Sequence, residues 1–189
     1  MVRRIIILCG LLALLPAGAS AQAFSPSKFY FAGYLDRLAL GVDSSSAELQ
    51  PLVAGVSAGY WLLEGVGLEL DAGTGVTDDS VGSLDVDFRS GVALSVRFES
   101  PPAERFGAYA LFGYARTSYR TSLNGATSTL SLPGGRLALG LTYGITRQIA
   151  VDAAFTHHDL DGDTRINSFR LGVRYDLGSR GTKARSGRN

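Results

Sequence analysis

The chain has 189 residues, 46% hydrophobic and 19% charged, with a formal net charge of +1. Its one cysteine, Cys9, lies in an N-terminal apolar run, which leaves the remainder without disulfide scaffolding, thiol chemistry or cysteine metal sites. Arg3 and Arg4 fall at the N-terminus and Arg180, Lys183, Arg185 and Arg188 at the C-terminus, so the body between them sets 12 basic against 17 acidic residues and makes a poor nucleic-acid binder.

Residues 1–21 have the organisation of a secretory leader: two arginines, an apolar run from Ile5 to Leu15, a Pro16 break and the small-residue site Ala19-Ser20-Ala21. The run is too short to cross a bilayer as a helix, which needs roughly 20 residues. Leu8, not a small residue, precedes Cys9, and this disfavours lipidation there. Cleavage before Gln22 leaves 168 residues, one domain's worth.

Eight strand-like segments follow. Residues 66–76 place Val66, Leu68, Leu70, Ala72, Thr74 and Val76 on one face and Gly67, Glu69, Asp71, Gly73 and Gly75 on the other. Residues 84–98 repeat this, with Leu84, Val86, Phe88, Val92, Leu94, Val96 and Phe98 against Asp85, Asp87, Arg89, Gly91, Ser95 and Arg97; Ser90 alone breaks the alternation. Residues 54–62, 136–143, 148–158 and 166–177 alternate equally clearly. Residues 29–42 and 106–121 are strand-like in composition but ambiguous in phase, and Asp36-Arg37 marks a candidate bulge. The connections at 64–65, 100–104 and 144–147 are compact, whereas 43–50, 77–83, 122–129 and 159–164 are mostly longer and polar. This pattern predicts an all-β fold: an eight-stranded antiparallel up-and-down transmembrane barrel over residues 22–177, both termini in the periplasm, with a basic disordered tail over 178–189.

The expected outward face is the apolar one. Only Lys28 and Lys183 are lysines after the leader, while arginine is abundant on the polar face beside carboxylates, as suits bidentate pairing in a narrow lumen. A lumenal charge network of Glu69, Asp71, Asp85, Asp87, Arg89, Arg97, Arg136, Asp152, Arg170 and Arg174 is expected, with glycine and serine making room for it. Aromatics predict two interfacial girdles: Tyr60, Trp61, Phe98, Phe106, Tyr143 and Tyr175, with Phe29, Tyr30 and Phe31, on the periplasmic side, and Phe88, Tyr119, Phe155 and Phe169 on the outer side. The last strand carries a spacing similar to a terminal-strand assembly signal, in Arg170, Gly172, Tyr175 and Leu177.

The stretches 55–60, 65–71, 108–115 and 167–177 resemble the outer-membrane protein beta-barrel domain family, small porin-like proteins related to the OmpA-type transmembrane domain. The resemblance covers the whole body by texture, without an invariant motif. It implies an outer-membrane barrel of a Gram-negative bacterium but no single activity. The chain departs from the usual ending, with Leu177 in place of Phe and twelve residues beyond it.

The favoured function is non-enzymatic: a structural or interaction barrel with surface loops and a charge-plugged lumen. A small gated channel, a lipid-modifying barrel enzyme and a soluble periplasmic ligand-binding barrel are the alternatives. The only catalytic candidate is His157-His158-Asp159 with Ser168, and the phase of Ser168 puts it on the inner face, away from His157. The run Asp159-Leu160-Asp161-Gly162-Asp163 lacks the order and closing Glu of a calcium loop and is read as a turn. No cofactor or metal is expected. The partners implied are outer-membrane lipid, lipopolysaccharide and the assembly machinery; a loop ligand has no legible code.

Overall fold

A computed structural model describes residues 29–41, 48–77, 79–81, 84–101, 105–123, 126–160 and 164–177. The proposed leader and tail, and residues 161–163 of the Asp-Gly turn, lie outside the described residues. Among the described residues ten strands are present: β1 (Phe29–Gly41), β2 (Glu48–Leu49), β3 (Leu52–Leu63), β4 (Val66–Thr77), β5 (Asp79–Val81), β6 (Leu84–Glu99), β7 (Phe106–Leu123), β8 (Ala126–Gly144), β9 (Ile149–Leu160) and β10 (Thr164–Asp176). Eight are long. β2 and β5 are short additions that pair with β1 and β6 inside segments expected to be loops.

Each long strand pairs antiparallel with its sequence neighbour, and β1 pairs with β10 from Tyr30↔Asp176 to Leu40↔Ile166. The sheet is thereby an eight-stranded closed barrel whose long strands are paired on both sides across the apolar band, with the β4–β6 ladder ending toward the loop rim at Gly73↔Gly91. One rim carries Phe29, Asp176 and the compact turns (the terminal rim); the opposite rim carries the longer connections (the loop rim). At the β3–β4 turn Gly65 has φ +72°, and a Cβ there would lie 2.5 Å from the Glu99 carbonyl oxygen. Glycine is required on both counts.

Two sequence expectations change. β1 runs in unbroken register against both β3 and β10 through Asp36 and Arg37, so there is no bulge at that pair. A disruption lies instead in β6, where Phe88 pairs with Tyr119 and Ser90 with Ser118, leaving Arg89 as the extra residue; β3 and β4 also shift register near both ends of their ladder. One added residue reverses the facing of everything beyond it. The second change is at 122–129, where a loop was expected: β7 and β8 instead continue their ladder to Leu123↔Ala126. Serine and threonine on both strands pair there, as an extension of a ladder already anchored in the barrel.

Candidate functional site: the lumen and its surrounding belt

Inward side chains stack in three layers, because residues of one parity on each strand step from one rim to the other. Nearest the terminal rim, Arg97 donates from Nε to Glu99 Oε2 at 2.9 Å, from Nη1 to Glu69 Oε2 at 3.0 Å and from Nη2 to Asp152 Oδ2 at 3.3 Å. Arg174 donates to both Glu99 oxygens at 2.8 and 3.2 Å and pairs with Asp176 at 3.6 Å. Tyr30 donates its hydroxyl to Glu69 at 2.6 Å, and Thr142 donates to Asp152 at 2.7 Å. The Arg97 guanidinium also sits 3.8 Å from the Tyr109 ring centroid. Residue pairing explains how rings this large fit: Tyr30 faces Gly59 and Tyr109 faces Gly140, each lying across a backbone that a Cβ would block.

In the middle layer Asp71 accepts from Arg136, from Arg170 Nη1 at 2.7 Å and from Ser57 at 2.7 Å. Asp36 pairs with Arg170 at 3.4 Å, and that guanidinium lies 3.6 Å from the Tyr34 ring centroid. A cavity of about 40 Å³ is lined by Asp36, Asp71, Arg136, Arg170, His158 and Thr117, among others. That volume suits about three water molecules. Asp36 Oδ1, Arg136 Nη2 and His158 Nδ1, which have no hydrogen-bond partner among the described residues, belong to residues lining it.

The layer nearest the loop rim is apolar. Leu38, Val53, Val86, Phe88, Tyr119, Leu132 and Ile166 form one buried cluster, with Phe88 edge-on to Tyr119 at 5.4 Å between centroids.

Of the residues expected in the lumen, Glu69, Asp71, Arg97, Arg136, Asp152, Arg170 and Arg174 are buried and brought together. Asp85, Asp87 and Arg89 are not. The bulge turns them outward, where Arg89 pairs only weakly with Asp87 at 3.5 Å. Phe88 is corrected in the opposite sense: expected in the outer girdle, it is 5% exposed inside the barrel, as is Tyr119. Tyr30, also expected in a girdle, is fully buried in the lumen. The sequence reading missed Asp36, Glu99, Asp176 and His158, all buried and inward. The pairing of inward Tyr30, Tyr34 and Tyr109 with Gly59, Gly55 and Gly140 on the next strand is the signal that could have fixed the phase of β1 and of the first half of β7.

Outside, Phe29, Phe31, Phe106, Tyr143 and Tyr175 are exposed near the terminal rim, with Tyr60 and Phe98 half-buried beside them; Trp61, expected in the same girdle, instead shares the inward parity of Ser57 and Gly59, pairs with Gly67 and stands 5.2 Å from lumenal Tyr30. Above them runs a continuous apolar wall that includes Leu35, Val56, Leu70, Leu94, Leu139 and Leu171. Phe155 and Phe169 pair with each other and stand two residues short of His157 and Asn167. A polar belt of Arg37, Thr74, Ser90, Arg116, His157 and Asn167 closes the wall on the loop side. From Phe106 to Arg116 the rise is roughly 25 Å at 3.3 Å per residue and a tilt near 40°, the height of a bilayer's apolar band. His157 Nδ1 and Asn167 Oδ1 share a hydrogen bond at 2.8 Å; Ser168 is buried on the inner side. At the last strand, Gly172 and Tyr175 continue the ladder to β1, and the Leu177 N–H donates to the Phe29 carbonyl at 3.0 Å.

A closed antiparallel barrel with an apolar belt of membrane height and charges buried within it is a transmembrane β-barrel. The chain belongs to the outer membrane protein beta-barrel domain family, whose model matches residues 7–176. Solved structures share the fold at low identity. Neisserial surface protein A is 17% identical with a TM-score of 0.65, over 79% of this chain and 97% of its own. Ail, the attachment invasion locus protein of Yersinia pestis, is 16% identical with a TM-score of 0.62, over 80% and 99%. OprG of Pseudomonas aeruginosa is 14% identical with a TM-score of 0.56, over 83% and 100%. No curated protein matches the chain by sequence.

Proposed function

We propose that this outer-membrane barrel is a non-enzymatic structural and interaction protein whose lumen is sealed rather than conducting. It presents the loop rim to the cell exterior and the terminal rim to the periplasm, and the N-terminal 21 residues serve as its export leader. The observation that carries the reading is the seal in depth. The Arg97–Arg174 cluster and the Asp71–Arg136–Arg170 cluster set two layers of paired charges across the lumen, and the Phe88 cluster adds an apolar third layer. An ion crossing the barrel must break several buried charge-assisted hydrogen bonds and then cross an apolar constriction. What reaches the surface as chemistry is therefore the loops and the outer wall. A lipid-modifying activity needs a nucleophile beside a base, and His157 has Asn167 next to it while Ser168 faces inward.

Planar-bilayer recording of the purified protein tests the proposal. The expected result is a silent membrane across physiological voltages. Reproducible stepwise conductance would overturn it in favour of a gated small-ion pore, with the cavity between the layers as the route.

A further inference from the structure

The bulge that removes Arg89 from the lumen adds it to an outer surface. Arg116 and Arg120 are exposed on the outward face of β7, four residues apart, and Arg89 stands on β6 beside their midpoint, since Ser90 pairs with Ser118. Hydroxyls surround them: Ser90 and Ser118 on β6 and β7, and Thr129 and Ser131 on β8, paired with Arg120 and Ser118. The Arg116 Nε donates to Ser131 at 3.0 Å, and Arg89 faces Asp87 at 3.5 Å. Arg120 has no ion pair among the described residues. Beside Arg89 the ladder between β4 and β6 ends at Gly73↔Gly91, opening a shallow polar cleft of about 470 Å³ lined by Thr74, Gly75, Asp87, Phe88, Arg89 and Ser90. Directly below lie exposed Val92, Leu94 and Tyr114.

Arginines at the upper edge of an apolar wall, with hydroxyl donors around them and an apolar strip beneath, match an amphiphile with anionic oxygens at its polar end. Two guanidiniums on one strand about 13 Å apart at the backbone have the reach to converge on one phosphate, and the planar fork binds its oxygens bidentately. We infer that Arg116 and Arg120, with Arg89, form a site for the phosphate of a phosphorylated glycolipid in the outer leaflet, its acyl chains lying along Val92, Leu94 and Tyr114. This rests on the proposed placement of the loop rim at the cell surface. Arg37, on β1 four strands away in either direction, is paired across the ladder with apolar Phe169 and Leu52 instead.

Native mass spectrometry of the full protein in detergent micelles tests the site, with four probes: bisphosphorylated lipid A, dephosphorylated lipid A, inorganic phosphate and sucrose octasulfate. The wild type is expected to retain one bisphosphorylated lipid. Arg116→Ser/Arg120→Ser should weaken retention by about tenfold or more, as loss of charge-assisted hydrogen bonds implies. Arg116→Lys/Arg120→Lys should restore part of it, and Arg37→Ser should leave it unchanged. Heat-dependent gel mobility confirms that each variant is folded. Equal retention of the dephosphorylated lipid, undiminished binding by the serine variant, or displacement of the lipid by equimolar phosphate or sucrose octasulfate would overturn the assignment. Failure of the supporting readings is separable: an epitope inserted between Leu123 and Ala126 and left unlabelled on intact cells refutes the orientation, and a conducting barrel that keeps its lipid refutes only the seal.

Discussion

Arg97 is the most connected charge in the lumen, and Arg97→Met tests what the network contributes. The substitution keeps the side-chain bulk and removes the guanidinium. Glu99 retains Arg174 at 2.8 Å. Glu69 is left with the Tyr30 hydroxyl, and Asp152 with the Thr142 hydroxyl and a more distant Arg174 at 3.7 Å. Two carboxylates almost without solvent contact thus lose their closest cation, and the expected cost is about 3–5 kcal/mol. With a urea slope on the order of 2 kcal/mol/M, the unfolding midpoint in lipid vesicles should fall by about 2 M. The single tryptophan, Trp61, stands 5.2 Å from Tyr30 between ring centroids, so its fluorescence reports on this layer. Arg97→Met/Glu69→Gln should regain part of the loss, since one stranded charge is gone. A midpoint within about 0.2 M of wild type would refute the reasoning, showing that solvent, rather than Arg97, compensates these acids.

The bulge separates charges that the alternating pattern had grouped. Asp85→Asn and Arg89→Gln should each change stability by no more than about 0.5 kcal/mol, whereas Asp71→Asn, which leaves Arg136 and Arg170 sharing a neutral amide, should cost about 3 kcal/mol or more by the same urea titration. Phe88→Ala should destabilise by about 3–4 kcal/mol as a core truncation, against a smaller effect for half-buried Phe98→Ala; equal effects would place Phe88 at the lipid face after all. Gly65→Ala forces a side chain into positive φ against the Glu99 carbonyl and should cost more than about 1 kcal/mol, read as a lower temperature for the gel-mobility shift. His157→Ala should leave the mass spectrum of lipid A in the producing cells unchanged, and an altered spectrum would reopen the enzyme reading.

The barrel was legible in the sequence because membrane insertion imposes period two on every strand: lipid on one side demands apolar side chains, and a narrow lumen demands small or paired polar ones. Val66–Thr77 and Thr164–Asp176 show this without structural help. Charge pairing was legible only as composition, a surplus of arginine facing carboxylates. The partners could not be read, because Asp71 and Arg170 are 99 residues apart and meet only when the sheet closes. The phase of β1 was hidden for a different reason: tyrosine suits both the headgroup interface and a lumen with a glycine opposite, and the choice depends on the facing strand.

Sequence by itself thus determined the strand count, the closed sheet and which residue types line each face, since those follow from one-dimensional periodicity and the cost of unpaired backbone in lipid. Tertiary structure alone decided where the lumen changes from charged to apolar and which arginines leave it. A single extra residue at Arg89 reverses the facing of one stretch of β6, and only the register against β7 shows on which side of that residue the reversal falls.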